Sequence, residues 1–170
     1  LSHRTMWTPV FGFLSYTGLR VGEALALTWS SVDFTENRIT VAKTLSIGLD
    51  NRWHISDPET HKARTVPISP TVVRFLKEQK LQNPSPCSTK CSTDHQHIAN
   101  NNLVFPNERD GGTLNPNRLR NNLKKSYRIM GLPEDRIGNL SVHSLRRTAA
   151  TIMLRNGASI RAVSNILGHK

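Results

Sequence analysis

Arg20 and Glu23 stand three residues apart in Thr17-Gly18-Leu19-Arg20-Val21-Gly22-Glu23, a stretch that closes one apolar segment at Gly18 and opens another. At a helix start, Arg20 would add its charge to free backbone N–H groups and to the positive end of the helix dipole, an arrangement that favours an anion. Glu23, one turn on, is spaced to hold that guanidinium in one orientation, although the same spacing also fits an ordinary ion pair at a helix start. His143 and Arg146 have the same spacing in His143-Ser144-Leu145-Arg146. On one helix face both side chains reach a single ligand, or else they form a plain basic surface. His169 follows Leu167-Gly168, where a turn past a helix would expose it rather than pack it on an apolar stripe.

A second group of reactive side chains, Cys87, Cys91, His95 and His97, lies in a polar stretch. These are zinc-type ligands. Their spacing matches no established zinc module, and a flexible polar loop with free thiols is the plainer reading, so no metal and no cofactor is assigned.

The chain that must position these residues has 170 residues, with 23 Lys and Arg against 12 Asp and Glu and a formal net charge of +11. That length predicts one domain able to bury its own core without disulfides. No apolar run reaches the roughly 18–20 residues needed to span a bilayer, which excludes an α-helical membrane protein. Two cysteines are too few for a secreted disulfide scaffold, so the expected compartment is the reducing cytoplasm. The charge is uneven. Residues 111–170 hold eleven Lys and Arg and two acids, 11 − 2 = +9, which points to a polyanionic partner, nucleic acid before a membrane surface.

Apolar spacing predicts a helix from Met6 to Tyr16, with Tyr16 in the core, and a second helix from about Val21 to Trp29 with Leu25 and Leu27 buried. Short β-branched segments over residues 31–68, separated by Asn, Gly and Asp turns, predict one small antiparallel sheet. Ser69-Pro70 reads as a helix start. Residues 83–102 read as a loop or insertion, and Leu103-Val104-Phe105 as a short strand or a core-anchoring turn. Helices are expected over Pro116–Met130, with Leu119, Leu123 and Met130 on one side, over His143–Arg155, and from Ser159 to Leu167. The fold class is α+β, mostly α-helical with a small antiparallel β-sheet.

The order TGLRVGEALAL, RTVPIS, HSLRRTAAT and LGHK, spread over essentially the whole chain, resembles the catalytic domain of the tyrosine recombinase (phage integrase) family. The resemblance implies that Arg20, His143, Arg146 and His169 surround one scissile phosphate and that Glu23 supports Arg20. Such a choice is chemically sound: a phosphodiester exchanging oxygens gathers charge on its non-bridging oxygens, and guanidinium forks complement it. His143 would donate to the phosphate or handle the nucleophile's proton. The basic last third would follow the DNA backbone through Arg118, Arg120, Lys124, Lys125 and Arg147.

Two departures from the family pattern stand out. The nucleophilic Tyr expected a few helical turns beyond His169 is not among the residues up to Lys170, and neither Tyr16 nor Tyr127 is in motif order. The chain by itself is therefore expected to form no covalent link to DNA. The family's catalytic Lys aligns with Glu59, while Lys62 lies three residues on; Lys62 is taken as the general acid, the alternatives being His61 in its place or loss of the general acid. The implied activity is site-specific recombination of double-stranded DNA through a 3′-phosphotyrosyl intermediate, by tetramers acting on two duplexes. The chain itself is expected to be monomeric. Rival readings are a DNA-binding homologue that has lost cleavage, a type IB topoisomerase-like relaxing enzyme and, more remotely, a zinc-dependent nuclease.

Overall fold

Trp7–Thr17 forms the first helix (α1) because Val10, Phe13, Leu14 and Thr17 fall on one stripe, and all four are buried. Burial of such a stripe, more than intrinsic propensity, stabilises a helix this short. Tyr16 sits roughly 110° round the axis from that stripe and is 58% exposed, so it is not a core residue as the apolar run implied. Gly18 ends the helix with φ +66°, its N–H on the Leu14 carbonyl at 3.0 Å. The computed structural model describes residues 7–57, 63–82, 102–107 and 111–168. Lys62, Glu59, His61, His169 and the Cys87–His97 cluster lie outside them.

The second helix (α2) is Val21–Leu25, shorter than the expected Val21–Trp29. Its continuation is diverted by tertiary pairing: the Leu27 carbonyl accepts from Val104 N at 2.8 Å, and Trp29 N donates to Asn102 O at 3.1 Å. A 3-10 turn, Trp29–Ser31, follows. Residues 102–107 thus serve as a core anchor. Leu103, Val104 and Phe105 are all buried, and the Phe105 ring meets Phe13 at 5.1 Å between centroids.

The β region holds two sheets rather than one. Strands β1 (Val32–Asp33), β2 (Arg38–Val41) and β5 (Arg64–Pro67) pair antiparallel in the order β1-β2-β5, with Ile39 opposite Val66. Between them in sequence, β3 (Thr44–Ile47) and β4 (Trp53–Ser56) pair only with each other among the described residues. That hairpin packs on α2. Contact is close because position 22 is glycine: a Cβ there would lie 2.5 Å from the Leu45 carbonyl oxygen and 2.6 Å from Thr44 Oγ1. Gly22→Ala is therefore expected to destabilise the chain by about 1–3 kcal/mol, a cost typical of overpacking. A urea titration would read this as a lowered midpoint at unchanged slope.

Four longer helices complete the domain: α3 (Pro70–Gln82), α4 (Pro116–Ile129), α6 (Val142–Arg155) and α7 (Ile160–Leu167), with the short α5 (Glu134–Asn139) between α4 and α6. Their starts obey local chemistry. Asn115 Oδ1 accepts from Asn117 N at 2.9 Å, and Ser159 Oγ accepts from Ala162 N at 3.2 Å, each relieving a backbone donor at a helix start. Leu119 and Leu123 are buried, but Met130 falls at the C-cap of α4 and is 71% exposed, so it does not extend their stripe. Helix α1 packs against α3, α4 and α6. The fold is thus α+β, mostly helical with small antiparallel sheets. Among the described residues no helix is long and apolar enough to cross a membrane.

Candidate active site

Arg20 occupies the N-cap of α2 with extended backbone angles, φ −67° and ψ 149°. An arginine side chain cannot accept a hydrogen bond, so the start of α2 is completed from the other side. Glu23 Oε2 accepts from the Arg20 backbone N–H at 2.9 Å, while Oε1 accepts from Arg20 Nη1 at 3.2 Å. The predicted partnership of Arg20 and Glu23 is present, and it binds main chain as well as side chain.

Glu23 holds a second arginine more tightly than the first. Arg64 donates to Oε1 from Nη1 at 2.8 Å and to Oε2 from Nη2 at 2.7 Å. The carboxylate, almost wholly buried, thus accepts four hydrogen bonds. Burial alone would raise the Glu23 pKa. The Arg64 hydrogen bonds, the Arg20 N–H and both guanidinium charges outweigh it and hold the carboxyl below its ordinary range.

Arg146, one turn inside α6, is only 4% exposed. It donates from Nη1 to the Gly18 carbonyl at 2.8 Å and from Nη2 to the Leu167 carbonyl at 2.5 Å, so it joins the end of α1 to the end of α7. Burial lowers its pKa to about 10, assisted by the charges of Arg20 and Arg64 and partly offset by Glu23. It remains protonated at neutral pH. Gly18 makes the junction possible, since a Cβ there would lie 2.7 Å from Leu167 Cδ2 and 3.2 Å from the Ala149 Cβ.

These contacts converge on the C-terminal end of α7. The Ile166 carbonyl accepts from Arg64 Nε at 3.1 Å, the Leu167 carbonyl from Arg146, and the Gly168 carbonyl from Arg20 Nη2 at 3.4 Å. Terminal carbonyls and the negative end of the helix dipole suit cations there. Three guanidiniums and one carboxylate leave 3 − 1 = +2 at this point. Each arginine has five N–H donors. Arg20 and Arg146 each engage two of them in these contacts and Arg64 three; Arg20, 46% exposed in its side chain, is the most open to an incoming oxyanion.

His143 lies exposed at the start of α6, three residues before Arg146 and on the same side of the helix. Arg147 is exposed next to Arg146. Helix α4 divides its basic residues: Arg118 and Lys125 fall on one flank of the Leu119–Leu123 stripe, and Arg120 with Lys124 on the other, roughly 130° apart. Tyr127 is half-buried and its pKa is raised by that burial, the opposite of an activated nucleophile. Among the described residues no group of three or more His, Cys, Asp or Glu side chains is placed to hold a metal.

Arg64 escaped the motif reading. A signal was present nonetheless: side chains alternate along a strand, and Arg64 stands two residues from Val66, which is fully buried. A charge on the inward face of a strand needs a buried counterion, and Glu23 is that ion.

Three arginines thus gather at one helix end around a single buried carboxylate. The family model described as "Phage integrase family" matches residues 2–170. The chain belongs to the phage integrase family. Among curated relatives, it is 28% identical over 162 residues to a tyrosine recombinase XerC-like protein of Caldanaerobacter subterraneus subsp. tengcongensis, covering 90% of this chain and 40% of that protein. It is 30% identical over 160 residues to the tyrosine recombinase XerC of Bifidobacterium longum, covering 94% and 39%. The chain therefore spans about two-fifths of the length of these relatives. Among solved structures, XerA recombinase superposes with a TM-score of 0.69 at 26% identity, covering 99% of this chain and 49% of that one. The Tn1549 transposon integrase in complex with transposon right end DNA gives 0.76 at 19% identity, covering 96% and 51%, a likeness of fold.

Proposed function

We propose that this chain is the catalytic domain of a site-specific DNA recombinase, in which Arg20 and Arg146 bind the non-bridging oxygens of one phosphodiester. The observation that carries the reading is the convergence of three arginines and one carboxylate at the end of α7, with a local charge of +2 facing a ligand that carries −1. Relatives named as tyrosine recombinases, and fold neighbours solved with DNA, support it.

In the proposed reaction a tyrosine hydroxyl beyond Lys170 attacks phosphorus, forming a 3′-phosphotyrosyl bond and breaking the bond to the 5′-oxygen. Lys62 supplies the proton that makes the leaving group a 5′-hydroxyl. Attack by another strand's 5′-hydroxyl reverses the step, so the phosphodiester energy is conserved. Arg20 and Arg146 stabilise the charge that develops on the non-bridging oxygens. His143 and His169 donate to the same phosphate or relay the nucleophile's proton. Arg118, Arg120, Lys124, Lys125 and Arg147 bind backbone phosphates, with affinity falling steeply as salt rises. Four copies on two duplexes would perform a full exchange.

The test uses a protein containing this chain in full, with a nicked duplex recovered by binding selection. A denaturation-resistant protein–DNA adduct bearing a free 5′-hydroxyl is expected. Binding without any adduct would favour a DNA-binding homologue and overturn the cleavage reading; Glu59, in place of the expected Lys, is the feature that keeps this rival in view. Relaxation of supercoiled plasmid without strand exchange would favour a topoisomerase.

A further inference from the structure

We infer that Arg64 is a positioning residue for the reacting phosphate, acting through Glu23 on Arg20. This rests on the phosphodiester chemistry proposed above. The geometry separates the tasks of the two arginines that share Glu23. Arg64 has three of its five donors engaged, two on the carboxylate at 2.7 and 2.8 Å and Nε on the Ile166 carbonyl at 3.1 Å. Its side chain is 15% exposed against 46% for Arg20. Arg20 makes longer contacts, 3.2 Å to Glu23 and 3.4 Å to the Gly168 carbonyl, so it is steered without being consumed.

The consequence follows from carboxylate chemistry. A carboxylate free to turn prefers a paired, fork-to-fork contact with the nearest guanidinium. If Arg64 were absent, Glu23 would be free to take Arg20 in that mode and draw its donors inward, away from a ligand. With both oxygens held by Arg64, Glu23 offers Arg20 a single side-chain contact and fixes its direction. Lysine cannot substitute, because a point charge on a flexible stem cannot serve two carboxylate oxygens and a carbonyl in one plane.

The other arm of Arg64 reaches the exit of α7. Gly168 adopts φ +69°, and a Cβ there would lie 3.0 Å from both Cζ and Nε of Arg64. Glycine at 168 therefore answers two demands, a left-handed backbone and room for this guanidinium. Arg64 is also the first residue of β5 and stands two positions after Lys62. One side chain thus ties the strand after Lys62, the start of α2 and the segment before His169.

Arg64→Lys keeps the charge, and its folding is checked by its thermal midpoint. In a protein containing this chain in full, single-turnover cleavage at saturating DNA should fall roughly 10–100-fold, as small misplacements of catalytic groups do, with DNA affinity within about twofold. In an Arg20→Ala background the same substitution should have little further effect, since Arg64 acts through Arg20. A second readout needs no cleavage. In arginine side-chain ¹⁵N NMR, Arg64→Lys should shift the Arg20 Nε–H signal and speed rotation of its guanidinium. Unchanged Arg20 signals, or an undiminished cleavage rate, would overturn the inference. A wild-type protein that never cleaves would instead count against the proposed function, leaving the Arg20 signals to decide the positioning role alone.

Discussion

Glu23→Ala is expected to cost about 3–5 kcal/mol of folding stability, the range seen when one partner of a buried ion pair is removed. The carboxylate is 3% exposed and is the acidic partner of both Arg20 and Arg64. Its loss would leave three guanidiniums, including the buried Arg146, facing one another with no counterion among them. Four hydrogen bonds would go with it, one of them to the backbone start of α2. Chemical denaturation at pH 7 measures the cost directly, and a loss below about 1 kcal/mol would mean that the cluster is solvated like a surface pair. Acid provides an independent check. The folded-state pKa of Glu23 is lower than its ordinary 4.5, so its stabilisation is complete above that value and is lost as pH falls through the depressed folded value. The gap in stability between wild type and Glu23→Gln should therefore narrow over that acid window and stay constant above it.

Under the proposed phosphodiester chemistry, Arg146→Lys in a protein containing this chain in full should lower DNA cleavage by about 10²–10³-fold, the scale of losing one oriented donor from a developing oxyanion. Arg146 is buried, bonds two carbonyls from separate elements, and has a pKa pulled down to about 10, by burial first and then by neighbouring arginines. Retaining a charge in such a place costs stability, which is what a site built to receive an anion requires. Lysine keeps the charge but cannot span both carbonyls while presenting a planar fork to a phosphate. One of the Gly18 and Leu167 carbonyls would be left unpaired, adding roughly 1–3 kcal/mol of destabilisation. DNA affinity should change little, because many backbone phosphates share it. Single-turnover cleavage with matched binding measurements checks this, and a rate within threefold of wild type would remove Arg146 from the reacting phosphate.

Much of the site could be read before any coordinates, because its signals are local. Arg20 and Glu23 lie one turn apart, and the capping residues Asn115 and Ser159 bond backbone donors two or three residues on. Gly18 and Gly168 mark left-handed helix ends. Hydrophobic spacing and cap residues placed α1, α4, α6 and α7 to within a few residues, and Ser69-Pro70 marked the start of α3. Where local signals competed with distant ones, the reading failed. Val21–Trp29 has helical spacing, yet its second half gives its backbone groups to residues 102–104. The β-branched segments look alike in composition, and only pairing across 20 or more residues, Ile39 with Val66, separates one sheet from the other.

The sequence by itself determined that this chain is helical with a small β component, strongly basic in its last 60 residues, and furnished with Arg20, Glu23, His143 and Arg146 in integrase order. These properties are carried by residue type and short spacing, which are fully present in an extended chain. Tertiary structure decided that Glu23 belongs to Arg64 as much as to Arg20, across 41 positions, and that Arg146 bonds a carbonyl 128 positions away. It also decided that α7 ends where three guanidiniums meet. Electrostatic partnership inside a protein depends on distance and on exclusion of water, and neither exists until the core has closed.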